Sequence, residues 1–446
     1  MVGCTPKISE VSPPIEEADP FSSTTGEVTL EDKWWTAFND PQLNTLIDSA
    51  LQQNLNVLTT WEQVKEAKAI RRTQASFLWP DLSAQARTAI SRPEPDFAGG
   101  ENVQAGLAAA YEVDLWGRLS ANKQAAAYRF QASYQDYQAA ALSLSAEIAT
   151  TWFQLLTAKE QLELAEQQIN TNKDIIKLIR ARFGSGQIRG VDILRQNQLL
   201  EATRDLKVVY ETDVALLKNE LAVLLGKPPQ NFINPEVADK LPILPPKPST
   251  GLPLELVRRR PDVQSAYSQL LAADRDMAAA VRAKYPRISL DLSVQSRSNT
   301  YDGLFKDWAY TLAGNIVAPL LYGGRLRAQV ERTEAIKNQQ LYQYGQTVLT
   351  AFREVEDALI QEEKQKERIA ILEKRLDMAD KTNRQLRIEF INGLSNYLDV
   401  LLALDEAQQL RRDMLVAKQQ QLEIRISLYR ALAGAFDTDR EEELSE

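Results

Sequence analysis

One stretch of this chain occurs twice. Residues 182–194 read RFGSGQIRGVDIL and residues 389–401 read EFINGLSNYLDVL, so Phe183 matches Phe390, Gly186 matches Gly393 and Asp192 matches Asp399, each at an offset of 207. Each copy is a short glycine-bearing break between two long runs of helical apolar period. Glycine permits the positive φ at which helices commonly end. The aspartate falls in the first turns of the following helix, where a carboxylate meets the positive end of the helix dipole. Each copy therefore reads as the tip of a helical hairpin. The offset persists outside the tips: Gly117-Arg118 matches Gly324-Arg325, Trp79-Pro80 matches Tyr285-Pro286, and Gly226 matches Gly434. Shared heptads arise by chance between coiled coils. Ordered Pro, Gly-Arg and Phe-x-x-Gly landmarks do not, and they mark an internal duplication.

Between the landmarks the hydrophobic period alternates between two values. Leu43, Leu46, Ile47, Ala50 and Leu51 share a helical face, in a helix expected to run from Asp40-Pro41 to about Leu78. From Leu82 the period changes to two: Leu82, Ala84, Ala86, Thr88 and Ile90 alternate with Ser83, Gln85, Arg87 and Ala89. Val103, Ala105, Leu107, Ala109, Tyr111 and Val113 alternate with Gln104, Gly106, Ala108, Ala110 and Glu112. These are two strands of about ten residues. One face carries Arg87 and Glu112; the other carries no charge, as a lipid-facing side requires. A half-buried soluble hairpin gives the same alternation.

The second half repeats the pattern. Ile288, Leu290, Leu292 and Val294 alternate with polar residues, and Trp308, Tyr310, Leu312 and Ile316 form one face of a fourth strand. Aromatic residues at a strand end suit a membrane interface. From Gly117 to Arg182 there is no proline and no internal glycine, and Ile148, Leu155, Leu162, Ile169, Ile176 and Phe183 recur every seventh residue. Such a helix spans roughly 100 Å. Ile193, Leu200, Val214 and Leu221 continue on the next helix, while Ile369, Leu372, Leu376, Ala379, Leu386 and Phe390 form the later seam of the helix from Gly324 to Glu389. Leu254 to Lys284 reads as one alanine-rich helix.

The expected fold class is thus mainly α with a small β part. It has long antiparallel coiled-coil helices and four β-strands, internally duplicated. The expected boundaries are an extended arm at 1–33, a first repeat at 34–226, a proline-rich linker at 227–253, a second repeat at 254–434 and a disordered acidic tail at 435–446. A formal net charge of −9 argues against a nucleic-acid partner. With no histidine and one cysteine, Cys4, the chain lacks the usual His/Cys metal sites and the Ser-His-Asp and Cys-His catalytic sets. No enzyme activity, cofactor or metal is expected. The longest uncharged run near a plausible span, Trp308 to Gly324, contains Pro319 and is too short for a membrane helix. Gly3-Cys4 resembles the end of a bacterial lipoprotein signal and predicts acylation of Cys4.

Several motifs together resemble the TolC-type outer-membrane factors, in their OprM-like lipoprotein branch. They are Trp34-Trp35-x-x-Phe38-x-Asp40-Pro41-x-Leu43, Asp114-Leu115-Trp116-Gly117-Arg118, Arg260-Pro261-Asp262-Val263, Tyr285-Pro286-x-Ile288-Ser289-Leu290, Gly323-Gly324-Arg325 and Asn396-Tyr397-Leu398-Asp399-Val400. The match covers roughly residues 34–434. The sequence departs from the family pattern at Tyr267, where glutamate is usual, and at Leu402, where many members carry a second tip aspartate.

The resemblance implies a homotrimer in the bacterial outer membrane, lipid-anchored and extending into the periplasm. Four strands per protomer would form one barrel, and the long helices a tunnel. It implies a tripartite efflux pump, with a periplasmic adaptor protein and an inner-membrane pump as partners. Tips at Gly186, Gln187, Gly393 and Leu394 would contact the adaptor. Asp399 would form a ring of three carboxylates at the channel gate, or else serve only as a helix-dipole carboxylate. Asp192, Arg182 and Arg189 would support the closed tip, the arginines by ion pairs. Phe183 and Phe390 are expected in the seam. A soluble coiled-coil scaffold or adaptor is the competing reading.

Overall fold

A computed structural model of the chain describes residues 19–22, 31–90, 101–231, 240–250, 253–438 and 440. Cys4 and most of the 1–33 arm lie outside the described residues. The chain divides into two compact units, and the long helices contribute to both.

Among the described residues the first unit comprises those within 61–136 and 262–348. Its centre is a four-stranded sheet in the order β1-β2-β3-β4, all neighbours antiparallel. The strands are β1 (Asp81–Ile90), β2 (Glu101–Val113), β3 (Arg287–Ser298) and β4 (Trp308–Val317). The register aligns the two faces across all four strands. Leu82 pairs with Ala109, Ala109 with Leu292 and Leu292 with Leu312; Ala84 pairs with Leu107, Leu107 with Val294 and Val294 with Tyr310. Both rows lie on the apolar face, because residues of one parity share a face. Leu82, Leu107, Leu290, Leu292, Tyr310, Leu312 and Ile316 are exposed on it. An apolar sheet face of this extent on the surface marks an interaction with something other than water. No helix among the described residues is long and apolar enough to cross a membrane.

The junction of sheet and helices is fixed by polar contacts. Trp116 stacks on Tyr285 with centroids 5.0 Å apart and donates its indole N–H to the Pro286 carbonyl at 2.8 Å. Arg118 meets the Glu112 carboxylate at 2.7 Å, and Arg282 donates to the Gly117 carbonyl at 2.7 Å. The helical part buries a charged pair, Lys337 with Asp274 at 2.7 Å.

The second unit comprises residues 17–60, 137–261 and 349–446. The helices are α1 (Pro41–Gln53), α2 (Leu55–Ser76), α3 (Arg118–Gly184), α4 (Gly190–Leu224), α5 (Pro253–Arg259), α6 (Pro261–Arg282), α7 (Arg325–Ile391) and α8 (Tyr397–Leu432). Within this unit α3 and α8 are central. Gln161 and Gln168 of α3 donate to the Arg412 and Gln408 carbonyls of α8. Helix α4 flanks α3 through Ile169, Ile176 and Leu200, and α7 flanks α8 through Leu372 against Leu410, Met414 and Ala417.

A second core gathers where the N-terminal segment docks. Trp34, Trp35 and Phe38 are buried in a short 3₁₀ turn, with Phe38 against Phe153 and Tyr429. Asp40 caps α1 by accepting from the Gln42 and Leu43 amides, and its other oxygen accepts from the Trp152 indole at 2.7 Å. One carboxylate thus satisfies a helix end and a buried ring donor.

Three expectations are corrected here. The first helix is two helices, because Asn54 leaves helical geometry and caps α2: its side chain accepts from the Asn56 and Val57 amides and donates to the Leu224 carbonyl. The helix expected over 254–284 breaks at Arg260, the residue before Pro261, where the α conformation is disfavoured. The buried Arg260 guanidinium reaches Glu354 at 2.8 Å. The tail expected to be disordered from residue 435 is docked through Thr438, and the Arg440 guanidinium donates to the Gln52 carbonyl at 2.8 Å. Phe436 is buried with its ring 5.1 Å from Trp35, and Thr438 accepts from the Tyr137 hydroxyl at 2.7 Å.

Because Asp40 serves both the helix end and the buried indole, Asp40→Ala should cost more than an ordinary cap, about 2–4 kcal/mol from the lost cap and the orphaned indole together. Asp48→Ala, which removes an exposed pair with Lys33 at 3.8 Å, should change the thermal midpoint little. Equal midpoints for the two variants would show that the Trp152 bond contributes nothing.

Candidate functional site at the hairpin tips

The two tips share one backbone solution. At the end of α3 the Gly186 amide donates to the Phe183 carbonyl at 2.9 Å, and the Gln187 amide to the Arg182 carbonyl at 3.0 Å. At the end of α7 the Gly393 amide donates to the Phe390 carbonyl at 3.1 Å, and the Leu394 amide to the Glu389 carbonyl at 2.8 Å. This paired 5→2 and 6→1 pattern is the Schellman motif, which places the glycine in the left-handed region; φ is 74° at Gly186 and 77° at Gly393. A Cβ at either position would meet nothing within 4 Å. Backbone conformation, not crowding, selects glycine. Gly186, Gln187, Gly393 and Leu394 are all exposed at the tips.

The starts of the following helices diverge. Asp192 is buried, and its carboxylate accepts from the Arg189 amide at 3.3 Å in a capping box. The guanidiniums of Arg189 and Arg195 approach it at 3.4 and 3.5 Å. Asp399, its partner in the repeat, is exposed and makes no ion pair among the described residues. The cause is visible in the alignment: at the offset of 207, Arg189 becomes Asn396 and Arg195 becomes Leu402. Asp399 has lost both neutralising arginines. It faces an open groove between α7 and α8 together with Arg375, Met378, Leu386, Leu402 and Glu406.

Arg182 joins the two tips. Its guanidinium donates to the Phe390 and Ile391 carbonyls at 3.2 and 3.3 Å and lies 5.0 Å over the Phe390 ring. A cation on the last carbonyls of α7 complements the negative end of that helix. For Arg182 the expected ion pair is replaced, among the described residues, by bonds to backbone carbonyls at the end of α7. Arg189 does form an ion pair, but within its own tip. Phe390 is buried against Ile175, Ile179, Tyr397, Val400 and Leu401. Phe183 is about half exposed, so it is not a seam residue: α3 has already begun its terminal turn there.

Behind the tips runs a buried polar network that sequence reasoning missed. The Tyr397 hydroxyl donates to Gln196 Oε1 at 2.6 Å, Gln196 donates to Asn172 Oδ1 at 3.1 Å, and Asn172 donates to Thr203 Oγ1 at 3.1 Å. Gln408 adds a 3.3 Å bond to Asn172, and Arg412 donates to Gln168 at 2.6 Å. The network ties α3, α4 and α8. Its signal in the sequence is amides placed within the seam: Asn172 lies three residues after Ile169, and Gln196 three after Ile193. Burial, and secondarily the nearby Asp192 carboxylate, push the Tyr397 phenol well above its usual range.

Paired long helices with glycine-capped tips, joined to a sheet with one exposed apolar face, define the class of outer-membrane efflux channels. The sequence profile described as "Outer membrane efflux protein" matches residues 46–227 and again 252–434. The chain belongs to the outer membrane efflux protein family.

Its relatives include the pyoverdine export outer membrane protein OpmQ of Pseudomonas aeruginosa, 28% identical over 429 residues, covering 92% of this chain and 88% of the relative. The cation efflux system protein CusC of Escherichia coli is 26% identical over 412 residues, with 90% and 88% covered. Among solved structures, the open state of the Neisseria gonorrhoeae MtrE outer membrane channel superposes with a TM-score of 0.86 at 26% identity, over 95% of this chain and 96% of that one. A CusC structure gives 0.85 at 25% identity, over 95% and 98%. The protein is an outer-membrane channel of an efflux system, and the soluble-scaffold reading is set aside.

The raised Tyr397 phenol sets a pH dependence. A folded-state value raised by burial, and secondarily by Asp192, above the unfolded value of about 10 means that the neutral buried phenol's contribution to the fold is fully present below that pH. The contribution is lost as pH rises toward the folded-state value. Tyr397→Phe should therefore weaken amide protection at the tips at neutral pH, by about 1–3 kcal/mol for the unsatisfied Gln196 oxygen. The difference from the wild type should shrink above about pH 10. Hydrogen exchange measured along the pH series reads both effects; a constant difference across the series would contradict the assignment.

Proposed function

We propose that this protein is a homotrimeric export conduit in which three four-stranded sheets close one twelve-stranded barrel in the outer membrane and the long helices form a tunnel gated at the tips. The observation that carries this reading is the exposed apolar face shared by all four strands. A sheet of four strands has two open edges and cannot enclose a useful lumen, whereas twelve strands can, and only a closed barrel leaves no backbone edge in lipid.

A second observation supports the same closure. Within the helical unit the outer helices keep unused apolar stripes: Val209, Leu216 and Val223 on α4, at intervals of seven, and Leu349, Ile360, Ile371 and Met378 on α7, at intervals of eleven and seven. Both spacings keep residues on one helix face. Helix α4 of one copy against α7 of the next buries both stripes and closes a ring.

The chain is read as a tandem duplication, with repeats at 34–226 and 254–434 joined by the linker at 227–253. Acylation of Cys4 would add a lipid anchor, which stabilises membrane attachment by about 0.8 kcal/mol per buried methylene. A periplasmic adaptor protein and an inner-membrane pump complete the proposed assembly, with the adaptor meeting the exposed tips around Gly186, Gln187, Gly393 and Leu394. Asp399 is the proposed gate residue. It is exposed and lacks the two arginines that neutralise Asp192, so threefold symmetry would set three unneutralised carboxylates around one axis. Asp192, Arg182 and Arg189 hold the tip in shape.

Extraction from membranes should give a trimer in detergent, and a monodisperse monomer soluble without detergent contradicts the reading. Leu107→Arg or Leu290→Arg should impair trimer assembly at a cost of about 2–4 kcal/mol near mid-bilayer, while Ser289→Arg on the other face is tolerated. Single channels in a planar bilayer should be blocked by a trivalent cation added at the tip side. Asp399→Ala should raise the blocking concentration and Asp192→Ala should not; the opposite pattern places the gate in the other half of the repeat.

A further inference from the structure

The polar face of the sheet carries its charge in two separate rows. Asp81 on β1 pairs with Ala110 on β2, and Ala110 with Asp291 on β3, so the two carboxylates lie in one lateral row. Arg87 pairs with Gln104, and Gln104 with Arg297, so two guanidiniums lie in another. Six residues separate the rows along each strand, about 20 Å at 3.3 Å per residue. The acidic row is at the helix end of the sheet and the cationic row at the far end. The two rows between them, through Ser83, Ala108, Ser293 and Thr311 and through Gln85, Gly106, Gln295 and Ala309, are uncharged.

Among the described residues these charges are not neutralised by each other or by their neighbours. Arg87 and Arg297 are exposed and make no ion pair among the described residues, including with Asp302 and Asp307 of the β3–β4 connection. Asp291 accepts only from neutral groups, Asn315 at 2.6 Å and Ser289 at 3.3 Å. Elsewhere on this face Glu112 is matched by Arg118, and Arg287 stands at the first residue of β3. A pair of like-charged arginines in one row has no packing role: both are exposed, and each raises the electrostatic energy of the other.

Threefold closure gives the rows a geometry. β1 and β3 are alternate strands, so three copies place a charge of each row on every second strand around a twelve-stranded barrel. Successive charges are then about 10 Å apart, two interstrand spacings. That is close to the Debye length of about 8–10 Å at physiological salt, so the fields of neighbouring arginines overlap into a continuous belt.

We propose that Arg87 and Arg297 of three protomers form a cationic belt at the end of the barrel remote from the helices, which binds multiply charged anionic solutes in the lumen. This rests on the barrel reading above. Asp81 and Asp291 form an opposing acidic belt nearer the helices. An anion leaving the helical region crosses a repulsive zone and then an attractive one, which favours its residence at the outer mouth over return. Specificity of this kind acts by charge, not by shape, because the side chains between the belts are small and leave a wide passage.

The test is single-channel recording of the trimer in a planar bilayer, with inositol hexakisphosphate added on the side facing the strand connections. Wild-type channels should show transient block. The Arg87→Gln/Arg297→Gln double variant should lower the block frequency by about tenfold or more, equivalent to at least 1.4 kcal/mol. Arg87→Lys/Arg297→Lys should retain it, and Asp81→Asn/Asp291→Asn should not weaken it. Block should fade between about 0.1 M and 1 M salt as the Debye length falls from ~10 to ~3 Å.

Equal block in the wild type and the double Gln variant, with both extracted as trimers, overturns the belt. Failure of the barrel reading has a separate signature. In a Cys4→Ala background, Ser293→Cys should be reached by a water-soluble, charged methanethiosulfonate with a stepwise change in conductance. No change there means that the polar face does not line the lumen.

Discussion

The constraint on which the structure depends is that a single chain leaves its own surfaces unsatisfied. The sheet ends in two open edges, β1 and β4, and presents an apolar face in which Leu107, Tyr310 and Leu312 are exposed. The helical unit buries α3 and α8 but leaves apolar stripes on α4 and α7. Open backbone edges invite pairing with another chain, and exposed helix seams invite knobs-into-holes packing. The two deficits occur in different units and have different chemistry, yet the proposed threefold closure would relieve both. In that assembly the lipid of the outer membrane would take the one face that copies of the chain do not cover.

Duplication supplied the architecture and divergence supplied the chemistry. The tips keep the same Schellman bonds and the same left-handed glycine, because the helix must end in that way for the next one to return alongside it. Side chains were free to change around that backbone. Arg189 and Arg195 neutralise Asp192 in the first copy; Asn396 and Leu402 replace them in the second and leave Asp399 exposed. Arg182 is matched by Glu389, so only the first tip reaches across to cap the helix of the other. An internal repeat thereby carries one neutralised aspartate at its first tip and one exposed, unpaired aspartate at its second among the described residues.

The parts legible in the sequence were those set by period. Strands announced themselves by alternation, and the seams on α3 and α7 by heptads, because burial on one face of a regular element imposes a repeat. Features set by a single residue were not legible. Asn54 interrupts a continuous helical pattern, and its cap becomes decisive only because Gly226 packs so close that a Cβ there would lie 2.4 Å from the Gln53 carbonyl oxygen. Phe436 sits in a sequence of acidic character, and its pocket against Trp35 is formed by residues four hundred positions away. The network through Asn172, Gln196, Gln408 and Tyr397 consists of polar residues that look like lapses in a seam until their partners on other helices are seen. The placement of Asp192 and Asp399 was readable, but the reason for their different burial lies in neighbours that only the pairwise alignment of the repeats exposes.

The central claim is that α4 of one copy meets α7 of the next. Their levels follow from the intrachain contacts: Lys207 of α4 pairs with Glu166 of α3 at 3.0 Å, Gln168 of α3 bonds the Gln408 carbonyl of α8, and Leu410 of α8 packs on Leu372 of α7. Val209 and Ile371 therefore stand at one height on the two outer helices. The decisive measurement is oxidative crosslinking of Val209→Cys with Ile371→Cys in a Cys4→Ala background, in native membranes, followed by denaturing electrophoresis. A ladder ending at the covalent trimer, absent from either single-cysteine variant, is the expected result. Monomers alone, in a protein whose trimer survives detergent extraction, would contradict it.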